Sequence, residues 1–463
     1  MERTAADIAA AGLPAAAAAA WLASDPSVSA SLGDDRRRFA AFWATAVTLL
    51  RLLPPKPARD VRHAAAADAI QETARAARDR MLRHHARAIY DALTEGRRRF
   101  RRVTEIAYAA ADAFPGLVPG RAEVEAEAAL PQRDKEGLEI DQGLFIAHLL
   151  ADETAGRHLC HAMLLPRAET PDWFARLAAD GSADLGPARL SRRAGAIHLE
   201  TGNPRYLNAE DQTTIDAVEI GVDLATLDPD TTVAVIRGQP VEHPKYLGRR
   251  PFGSGINLTH LYQGRIPFLW FVERELGWVH KLLRGVALPD SLPDDVHGYG
   301  VEKPWIGAVD SFAIGGHAQV LLVLDHVLVS GDAYLTLPAQ KEGIIPGAAN
   351  MRLPRFAGER LARAMIQHER AVTCDSPDGR LICGGIVPAG EMDAAIDRAV
   401  DQLRRAGMAS AIGNRRAFRV SAEPFDRFRE YMAVYVREQA RCQFSPALIA
   451  NLERHWDARN RRV

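Results

Sequence analysis

Hydrophobic and polar positions follow two different periods along this chain, and the change of period divides it into three parts. Residues 1 to about 190 are rich in alanine, leucine, arginine and glutamate, which predicts helices punctuated by proline clusters such as LLPPKPARD. From about Gly195, β-branched runs alternate with amphipathic stretches, and helical periodicity returns after about residue 354. The pattern predicts a helical N-terminal domain at 1–190, an α/β core at 191–353 and a helical C-terminal region at 354–463.

The central part has the β-α-β rhythm of a parallel sheet. GAIHLET and TTVAVIRG predict strands, and AEDQTTIDAVEIGVDLATLD between them predicts an amphipathic helix. KPWIGAVDSFAIGG predicts a further strand that ends in a glycine turn, and HAQVLLVLDHVLVSGD predicts a helix followed by a strand. Since helices connect these strands, we expect an α/β domain with parallel pairing.

The segment Asp141–Pro166 predicts one long amphipathic helix with several polar side chains. His148 and Asp152 lie one helical turn apart, so that together with His161 they are candidate metal ligands. No HExxH motif accompanies them. The favoured interpretation is a surface or interface helix, and no metal site is predicted.

Composition narrows the class of protein. The chain has 463 residues and a net charge of −1, so it gives no support for a nucleic-acid partner. Its four cysteines form no CxxC pair, which predicts buried free thiols in a reducing cytoplasm. The N-terminal stretch AAGLPAAAAAAWLA lacks a preceding basic segment and is interpreted as a helix rather than a signal peptide. No strongly apolar run is long enough to predict a membrane span.

Two glycine turns in the central part each follow an apolar run. They are RRPFGSGINL and FAIGGHAQ. Glycine allows positive φ and close backbone approach, and a turn that enters a helix leaves backbone N–H groups without partners. Two such turns that converge can donate two N–H groups to one oxygen, which is an oxyanion hole.

The order and spacing of these motifs resemble the crotonase (enoyl-CoA hydratase/isomerase) superfamily from about residue 195 to 405. IHLETGNPRYLNAEDQTTIDAVEIGVDLATLDPDTTVAVIRG, RPFGSGINL, EKPWIGAVDSFAIGGHAQVLLVLDHVLVSGDAYLTLPAQKEGIIPG and GGIVPAGEMDAAIDRAVDQL occur in the family's order. The resemblance implies a crotonase-like ββα spiral core, with the C-terminal helices completing the fold and providing oligomer contacts. It also implies that Ile256 N–H and Gly316 N–H hold the thioester oxygen of an acyl-CoA.

The resemblance implies a set of substrate-binding residues as well. Lys245, Arg249 and Arg250 lie in the loop expected near the adenine side of CoA, and they are candidate phosphate partners. The full set expected to bind substrate is Glu210, Arg205, His243, Lys245, Tyr246, Ser254, Gly255, Asn257, Leu258 and Gly315.

The chain departs from the hydratases of this superfamily at both of their catalytic glutamates. Gln319 occupies the first position and Ala339 the second. An amide and a methyl group do not exchange protons at neutral pH, so hydration by the usual pair is not expected. Glu210 instead brings a carboxylate to the acyl pocket, suited to a hydroxylated substrate, and Arg274 is a candidate partner for substrate or for developing negative charge.

This combination is most similar to the cofactor-independent 3,5-dihydroxyphenylacetyl-CoA 1,2-dioxygenase family of glycopeptide-antibiotic (dihydroxyphenylglycine) biosynthesis. The resemblance implies conversion of the arylacetyl-CoA and O₂ to 3,5-dihydroxyphenylglyoxylate and CoA without metal or organic cofactor. Ile256, Gly316, Gln319 and Arg274 would be the catalytic residues, and the protein would be a homotrimer or homohexamer. Two alternatives remain open: another crotonase-fold acyl-CoA enzyme (a thioesterase, isomerase or decarboxylase) and a non-catalytic acyl-CoA-binding protein.

Overall fold

The computed structural model describes residues 2–298 and 300–461, and the first part of the chain is helical, as the pattern predicts. Local chemistry fixes where helices begin: Ser31 and Asp60 each accept a hydrogen bond from a backbone N–H three residues further on. The helices of this part are α1 Glu2–Ala10, α2 Ala15–Ala23, α3 Leu32–Leu50, α4 Val61–Leu93, α5 Val103–Ala113, α6 Arg121–Ala128, α7 Glu139–Ala151, α8 Glu153–Leu164 and α9 Thr170–Asp180.

The single helix predicted over Asp141–Pro166 is two helices, α7 and α8, so that prediction is wrong. Asp152 lies between them with φ −74° and ψ 124°, and its carboxylate accepts a hydrogen bond from Ala155 N–H at 2.9 Å. An aspartate in this conformation caps the second helix because its side chain replaces a missing backbone partner. The two candidate histidines, His148 and His161, therefore lie on different helices.

The central part alternates strands and helices, which confirms the predicted α/β texture. The helix predicted from Ala209 begins only at Ile215, and the strand predicted across KPWIGAVDSFAIGG is two short strands. The elements of this part are β1 Ser182–Asp184, β2 Ala188–Arg193, β3 Ala196–Thr201, α10 Ile215–Leu227, β4 Val233–Gly238, α11 Leu258–Tyr262, α12 Phe268–Leu276, α13 Trp278–Arg284, β5 Val286–Ala287, β6 Gly300–Val301, β7 Trp305–Val309, β8 Phe312–Ile314, α14 Gly316–Leu321, β9 His326–Ser330, β10 Tyr334–Thr336 and α15 Ala339–Glu342.

The last part is mainly helical, and the two helices predicted there from EMDAAIDRAVDQLRRAG and FDRFREYMAVYVREQARC are present. The first helix of this part, α16, is kinked at Gly358, where φ is +71°. The elements are α16 Ala349–Gln367, β11 Val372–Thr373, β12 Gly385–Val387, α17 Met392–Ala406, α18 Met408–Ala422, α19 Phe425–Gln443 and α20 Pro446–Trp456.

A large sheet runs through the central part in the order β1-β2-β3-β4-β7-β9-β12. The β1–β2 and β2–β3 pairs are antiparallel, and every later pair in this sheet is parallel. Parallel strands need crossover connections, and the helices between them supply these. The predicted parallel pairing is confirmed.

A small second sheet, in the order β11-β10-β8, completes a spiral. β7, β8 and α14 form one turn, in which the chain visits the large sheet, then the small sheet and then a helix, and β9, β10 and α15 form the next turn. In the earlier turns the second strand is reduced to single parallel bridges, Gly253 to Ala313 and Glu210 to Ile256. This repetition is the crotonase-like ββα spiral that the resemblance implied, and the fold class is confirmed.

Helix α12 joins the two largest apolar cores. Phe268 and Leu269 pack into a core built mainly from the N-terminal helices and α19. Trp270 and Phe271 pack into the core of the spiral. Because α19 lies along α7, the last part of the chain packs directly on the first. The boundary predicted at 190/191 falls inside β2, and the division into three domains stays a prediction.

Two further predictions concern the cysteines and membrane-spanning helices. The four cysteines are free thiols, and three of them, Cys160, Cys374 and Cys383, are buried as predicted, whereas Cys442 is half-buried. Among the helices of residues 2–298 and 300–461, none has the length and apolar character needed to cross a bilayer.

Candidate active site

The residues expected in the site lie at equivalent points of successive turns of the spiral, just before or at the start of a helix. Glu210 and Ile256 pair as neighbouring strand residues: Glu210 N–H donates to Gly255 O and Asn257 N–H donates to Glu210 O, both at 2.8 Å. Gly316 is the first residue of α14, and Ala339 is the first residue of α15. The spiral therefore brings together positions that are far apart in the sequence.

The backbone amides in this region include two, on touching loops, without a hydrogen-bond partner in the described part of the chain. They are the N–H groups of Ile256 and Gly316. Their loops touch: a Cβ added to Gly255 would lie 3.4 Å from Gly316 N, and one added to Gly315 would lie 3.5 Å from Gly255 Cα. Gly255 and Gly315 have φ values of +83° and +54°, which glycine adopts without strain. The geometry is that of a candidate oxyanion hole.

Arg274 holds the surroundings of these amides together. Its Nη2 donates to Gly316 O at 2.8 Å and its Nε to the Glu210 carboxylate at 2.9 Å. Its Nη1 donates to Glu275 and, at 3.3 Å, to Gln319 Oε1. Burial opposes the charge, but Glu210 and Glu275 together raise the pKa of Arg274 above its ordinary value. Arg274 therefore stays a cation fixed against the second glycine turn.

Glu210 and Glu275 flank this cation and are both buried. Burial raises the pKa of Glu210, and the charge of Arg274 opposes that rise. Glu275 is 1% exposed, and its Oε2 has no hydrogen-bond partner among the described residues. A buried carboxylate oxygen without a partner is costly, so this oxygen is available to a polar group of a ligand.

His317 fixes the first glycine turn, and the sequence analysis missed it. Its Nδ1 accepts a hydrogen bond from Gly255 N–H at 3.1 Å. Burial and then the charge of Arg274 lower the pKa of His317 to about 3, so the ring is neutral and its proton lies on Nε2. The residue before Ile256 is thereby held in place by the residue after Gly316.

A small chamber lies beside the two free amides. Glu210, Ile256, Arg274, Gln319 and Ala339 all line it, so the two residues that replace the hydratase glutamates do meet in one place. The chamber has a free volume of about 30 Å³, which is room for a water molecule rather than an aromatic ring. An aryl group must therefore displace lining side chains when it binds. The remaining walls come from Trp270, Phe271, Glu275, Gly316, Glu342, Ile344, Ile345, Pro346, Gly347 and Tyr435.

A larger cavity of about 590 Å³ meets the chamber, and two residues, Ile256 and Glu342, line both. Its volume is in the range of small-molecule and cofactor sites. The residues predicted to bind substrate that line it are Arg205, His243, Tyr246, Ser254, Asn257 and Leu258. No sequence motif predicted the part of its wall that comes from α20 and the residues after it, which is Asn451, Leu452, His455, Trp456 and Arg461.

None of the three basic residues in the predicted phosphate set lines the large cavity. Lys245 does not line the large cavity, and its Nζ lies 5.2 Å from the centroid of the Tyr246 ring. Arg249 forms an ion pair with Asp332 at 2.8 Å, and Arg250 pairs with Glu200. These partners hold the loop 243–250 against the spiral.

Ser254 and Asn257 shape the loop that carries Ile256. Ser254 Oγ donates to Tyr206 O at 3.0 Å. Asn257 caps α11, and its side-chain amide donates to the Asp211 carboxylate at 3.0 Å. The two side chains fix the loop on both sides of the free Ile256 amide.

Glu342 is a second residue that the sequence analysis missed. Its carboxyl forms no hydrogen bond or ion pair with any residue the structure describes. Burial and the nearby Glu369 raise the pKa of Glu342 to about 8, with Lys341 opposing. A signal was present in the sequence, because Glu342 follows Ala339 by three residues and so lies on the same side of a helix.

The alternative metal ligands do not come together. His148 Nε2 lies 2.9 Å from Asp79, and Asp152 caps α8. His161 is buried on α8. Across residues 2–298 and 300–461, no three His, Cys, Asp or Glu side chains are placed to hold a metal ion.

The chain is similar in sequence or in structure to several known proteins. The chain is 46% identical over 416 residues to the (3,5-dihydroxyphenyl)acetyl-CoA 1,2-dioxygenase of Amycolatopsis orientalis, covering 90% of this chain and 94% of that relative. It is 23% identical over 224 residues to the carnitinyl-CoA dehydratase of Escherichia coli (strain K12), covering 48% of this chain and 76% of that relative. A solved structure of an enoyl-CoA hydratase from Mycobacterium avium subsp. paratuberculosis K-10 covers 58% of this chain and 98% of that chain, with 18% identity and a TM-score of 0.47. No family model matches the chain.

Proposed function

The chain belongs to the (3,5-dihydroxyphenyl)acetyl-CoA 1,2-dioxygenase family, and from that premise we propose how its two cavities carry out the reaction. The protein is an oxidoreductase that acts on an arylacetyl-CoA thioester. It converts 3,5-dihydroxyphenylacetyl-CoA and O₂ to 3,5-dihydroxyphenylglyoxylate and CoA. The large cavity takes the CoA portion, and the chamber takes the aryl group.

The pair of free amides carries this proposal. Ile256 N–H and Gly316 N–H lie on touching loops where the two cavities meet. The thioester oxygen placed there gains negative charge as Cα loses a proton, and the two donors stabilise it. Loss of one such donor costs about 3 kcal/mol of transition-state stabilisation. The site is therefore built to form an enolate.

Gln319 and Ala339 support oxygenation over hydration. Both line the chamber, and neither supplies a proton readily. The benzylic enolate is delocalised into the ring and the thioester, so it is electron-rich enough to reduce O₂. Recombination gives a Cα-peroxide, which attacks the thioester carbonyl and expels CoA. Once the aryl group occupies the chamber, little free volume is left for water beside the carbanion.

Glu210 and Arg274 are proposed to recognise the dihydroxylated ring. The Glu210 carboxylate lies in the chamber 2.9 Å from Arg274 Nε, so a phenolic O–H can donate to it without leaving an unpaired buried charge. Arg274 is also positioned to stabilise negative oxygen species, because its Nη2 holds the Gly316 carbonyl next to the free Gly316 amide.

We also propose that no metal or organic cofactor takes part, because the enolate itself supplies the electrons that O₂ requires. The family resemblance supports a homotrimer or homohexamer in the cytoplasm.

An oxygen electrode combined with a thiol assay tests the function. With 3,5-dihydroxyphenylacetyl-CoA in air, we expect one O₂ consumed for each CoA released, and no CoA release under nitrogen. Equal rates of CoA release in air and under nitrogen would show a thioesterase instead. Binding of the thioester without thiol release in air would show an acyl-CoA-binding protein.

A further inference from the structure

We propose that Glu342 is the acid–base residue of this site, which takes the first proton from Cα of the thioester and delivers it to the sulfur of the departing CoA. This inference rests on the proposed function and names the proton acceptor that it requires. Gln319 and Ala339 cannot fill that role, because neither carries an ionisable group.

The position of Glu342 between the two cavities carries the inference. Among the described residues, only Ile256 and Glu342 line both the chamber and the large cavity. The free Ile256 amide marks the thioester oxygen, so Cα lies on the chamber side of the carbonyl carbon and sulfur lies on the other side. A carboxyl where the two cavities meet can therefore reach both Cα and the sulfur atom of the thioester.

The helix α15 explains how a carboxyl reaches this place. Ala339, at its first residue, lines the chamber, and Glu342 lies three residues later on the same side of the helix. The carboxylate that is missing at Ala339 is thus replaced by one shifted by about one helical turn toward the CoA side.

Competing bases in the chamber already have strong partners. Glu210 and Glu275 both accept hydrogen bonds from Arg274. His317 uses Nδ1 to accept from Gly255 N–H. Glu342 is the carboxyl lining the chamber that has no cation or donor bound to it within residues 2–298 and 300–461.

The charged groups around Glu342 give its carboxyl a pKa that suits proton transfer. Burial and Glu369 raise its pKa to about 8, and Lys341 on the same helix opposes them. Glu210, Arg274, Glu275 and Tyr435 face it from the chamber, and His455 and Arg461 lie across the large cavity on the C-terminal elements. A carboxyl that titrates near the working pH accepts a proton and gives it up again efficiently.

In the proposed reaction Glu342 acts twice as a base and once as an acid. Glu342 carboxylate removes one Cα proton, and the enolate and O₂ then form the Cα–O bond of a peroxide anion. The peroxide attacks the carbonyl carbon, the carbon–sulfur bond breaks, and the CoA thiolate takes the proton from Glu342. The regenerated carboxylate removes the second Cα proton as the O–O bond breaks, which leaves the glyoxylate and one proton for solvent.

Hydrogen exchange under nitrogen tests Glu342 without oxygen chemistry. In D₂O with 3,5-dihydroxyphenylacetyl-CoA, the unmodified protein is expected to place deuterium at Cα, as measured by mass spectrometry. The isosteric change Glu342→Gln should slow this exchange by at least about 100-fold and slow aerobic CoA release by a similar factor. Exchange within about twofold of the unmodified protein would overturn the inference, and so would lost turnover with unchanged exchange.

Glu369→Gln is the matched control. It removes the neighbouring charge that raises the pKa of Glu342 and keeps the acid–base carboxyl in place. Since the base acts when ionised, activity rises as pH passes through the Glu342 pKa of about 8, and Glu369→Gln should move that rise to lower pH. An unmoved pH profile would show that another group governs it. O₂ uptake by the unmodified protein tests the dioxygenase function separately from the role of Glu342.

Discussion

Single side chains decide what happens to the enolate. Arg274 Nη1 donates to the neutral Gln319 at 3.3 Å, and Ala339 contributes only a methyl group to the chamber wall. A carboxylic acid at either place would add a second proton donor beside Glu342 and so speed the return of a proton to the carbanion. Because neither Gln319 nor Ala339 transfers a proton, these two residues favour reaction of the enolate with O₂.

Restoring an acid at one of these positions should divert the reaction. Gln319→Glu is expected to lower the rate of O₂ uptake by about tenfold or more and to raise the ratio of Cα deuterium exchange to oxygenation, since a general acid contributes about 10²-fold or more to proton transfer. Mass spectrometry of the recovered thioester and an oxygen electrode measure the two rates. Gln319→Met, which adds no ionisable group, is the control. Equal ratios in the two variants would contradict this view of Gln319.

Some site residues are marked by the residues next to them in the sequence, and these could be predicted. Others have roles that depend on contacts between distant parts of the chain, and these could not. The two glycine turns were predicted because positive φ and β-to-α junctions leave a mark on the adjacent sequence. His317 and Glu275 were not predicted because their roles come from side-chain contacts in the folded chain, which no local sequence pattern shows. Glu342 lies one turn after Ala339, the family's acid position, and this helical spacing is the one local signal that marks it.

At the scale of elements, two β-to-α junctions support each other. The first junction ends at Ile256 and the second at Gly316, and His317 Nδ1 links them by accepting from Gly255 N–H. The fold could be predicted wherever the apolar period was clear, as in β3 and β4. It could not be predicted where one side chain interrupts a period, as Asp152 does between α7 and α8.

Removing the link at His317 should weaken the oxyanion hole without much change in affinity. His317→Phe is expected to lower kcat by about 10²-fold, since the loop that carries Ile256 loses its acceptor, with KM changed little. Because the pKa of His317 is about 3, the imidazole is neutral above that pH and its contribution should not vary between pH 5 and 9.

His317→Gln is the matched variant, because its side-chain oxygen can accept from the same amide. We expect it to recover part of the lost kcat. Steady-state kinetics decide the matter: a His317→Phe protein with unchanged kcat, or one that loses activity equally with the Gln variant, would contradict a positioning role.

At the scale of the whole molecule, the helical layer supports the site from behind. The Glu139 carboxylate accepts a hydrogen bond from Phe268 N–H at 2.7 Å at the start of α12, the helix that carries Arg274. Thr104 Oγ1 donates to Glu273 at 2.6 Å on the same helix. Tyr435 of α19 lines the chamber directly. The N-terminal and C-terminal helices are therefore part of the structural support for the chemistry.

A buried charge network fastens this layer to the spiral. Arg102, just before α5, pairs with Glu219 of α10 at 2.7 Å, and Lys281 of α13 pairs with Glu219 at 2.8 Å and with Asp223 at 2.6 Å. Lys281 is fully buried. Lys281→Met should lower the free energy of unfolding by about 3–5 kcal/mol, because the buried Asp223 loses its cation and Glu219 keeps only Arg102 of these two cations.

Denaturant unfolding measures this loss. The exposed pair of Arg363 and Glu359 on α16 supplies the comparison, and Arg363→Ala should change the free energy of unfolding by less than about 1 kcal/mol. A Lys281→Met protein as stable as the Arg363→Ala protein would show that the network does not hold the layer in place.

The most direct test of the central claim is the fate of labelled oxygen. The chelator-treated protein is given 3,5-dihydroxyphenylacetyl-CoA and ¹⁸O₂, and borohydride is added at once to fix the keto oxygen before it exchanges with water. The account predicts that both labelled atoms of one O₂ molecule appear in the product, one at Cα and one in the carboxylate. A carboxylate without label would contradict it, because water would then have supplied its second oxygen by hydrolysis of the thioester, in place of attack by the peroxide.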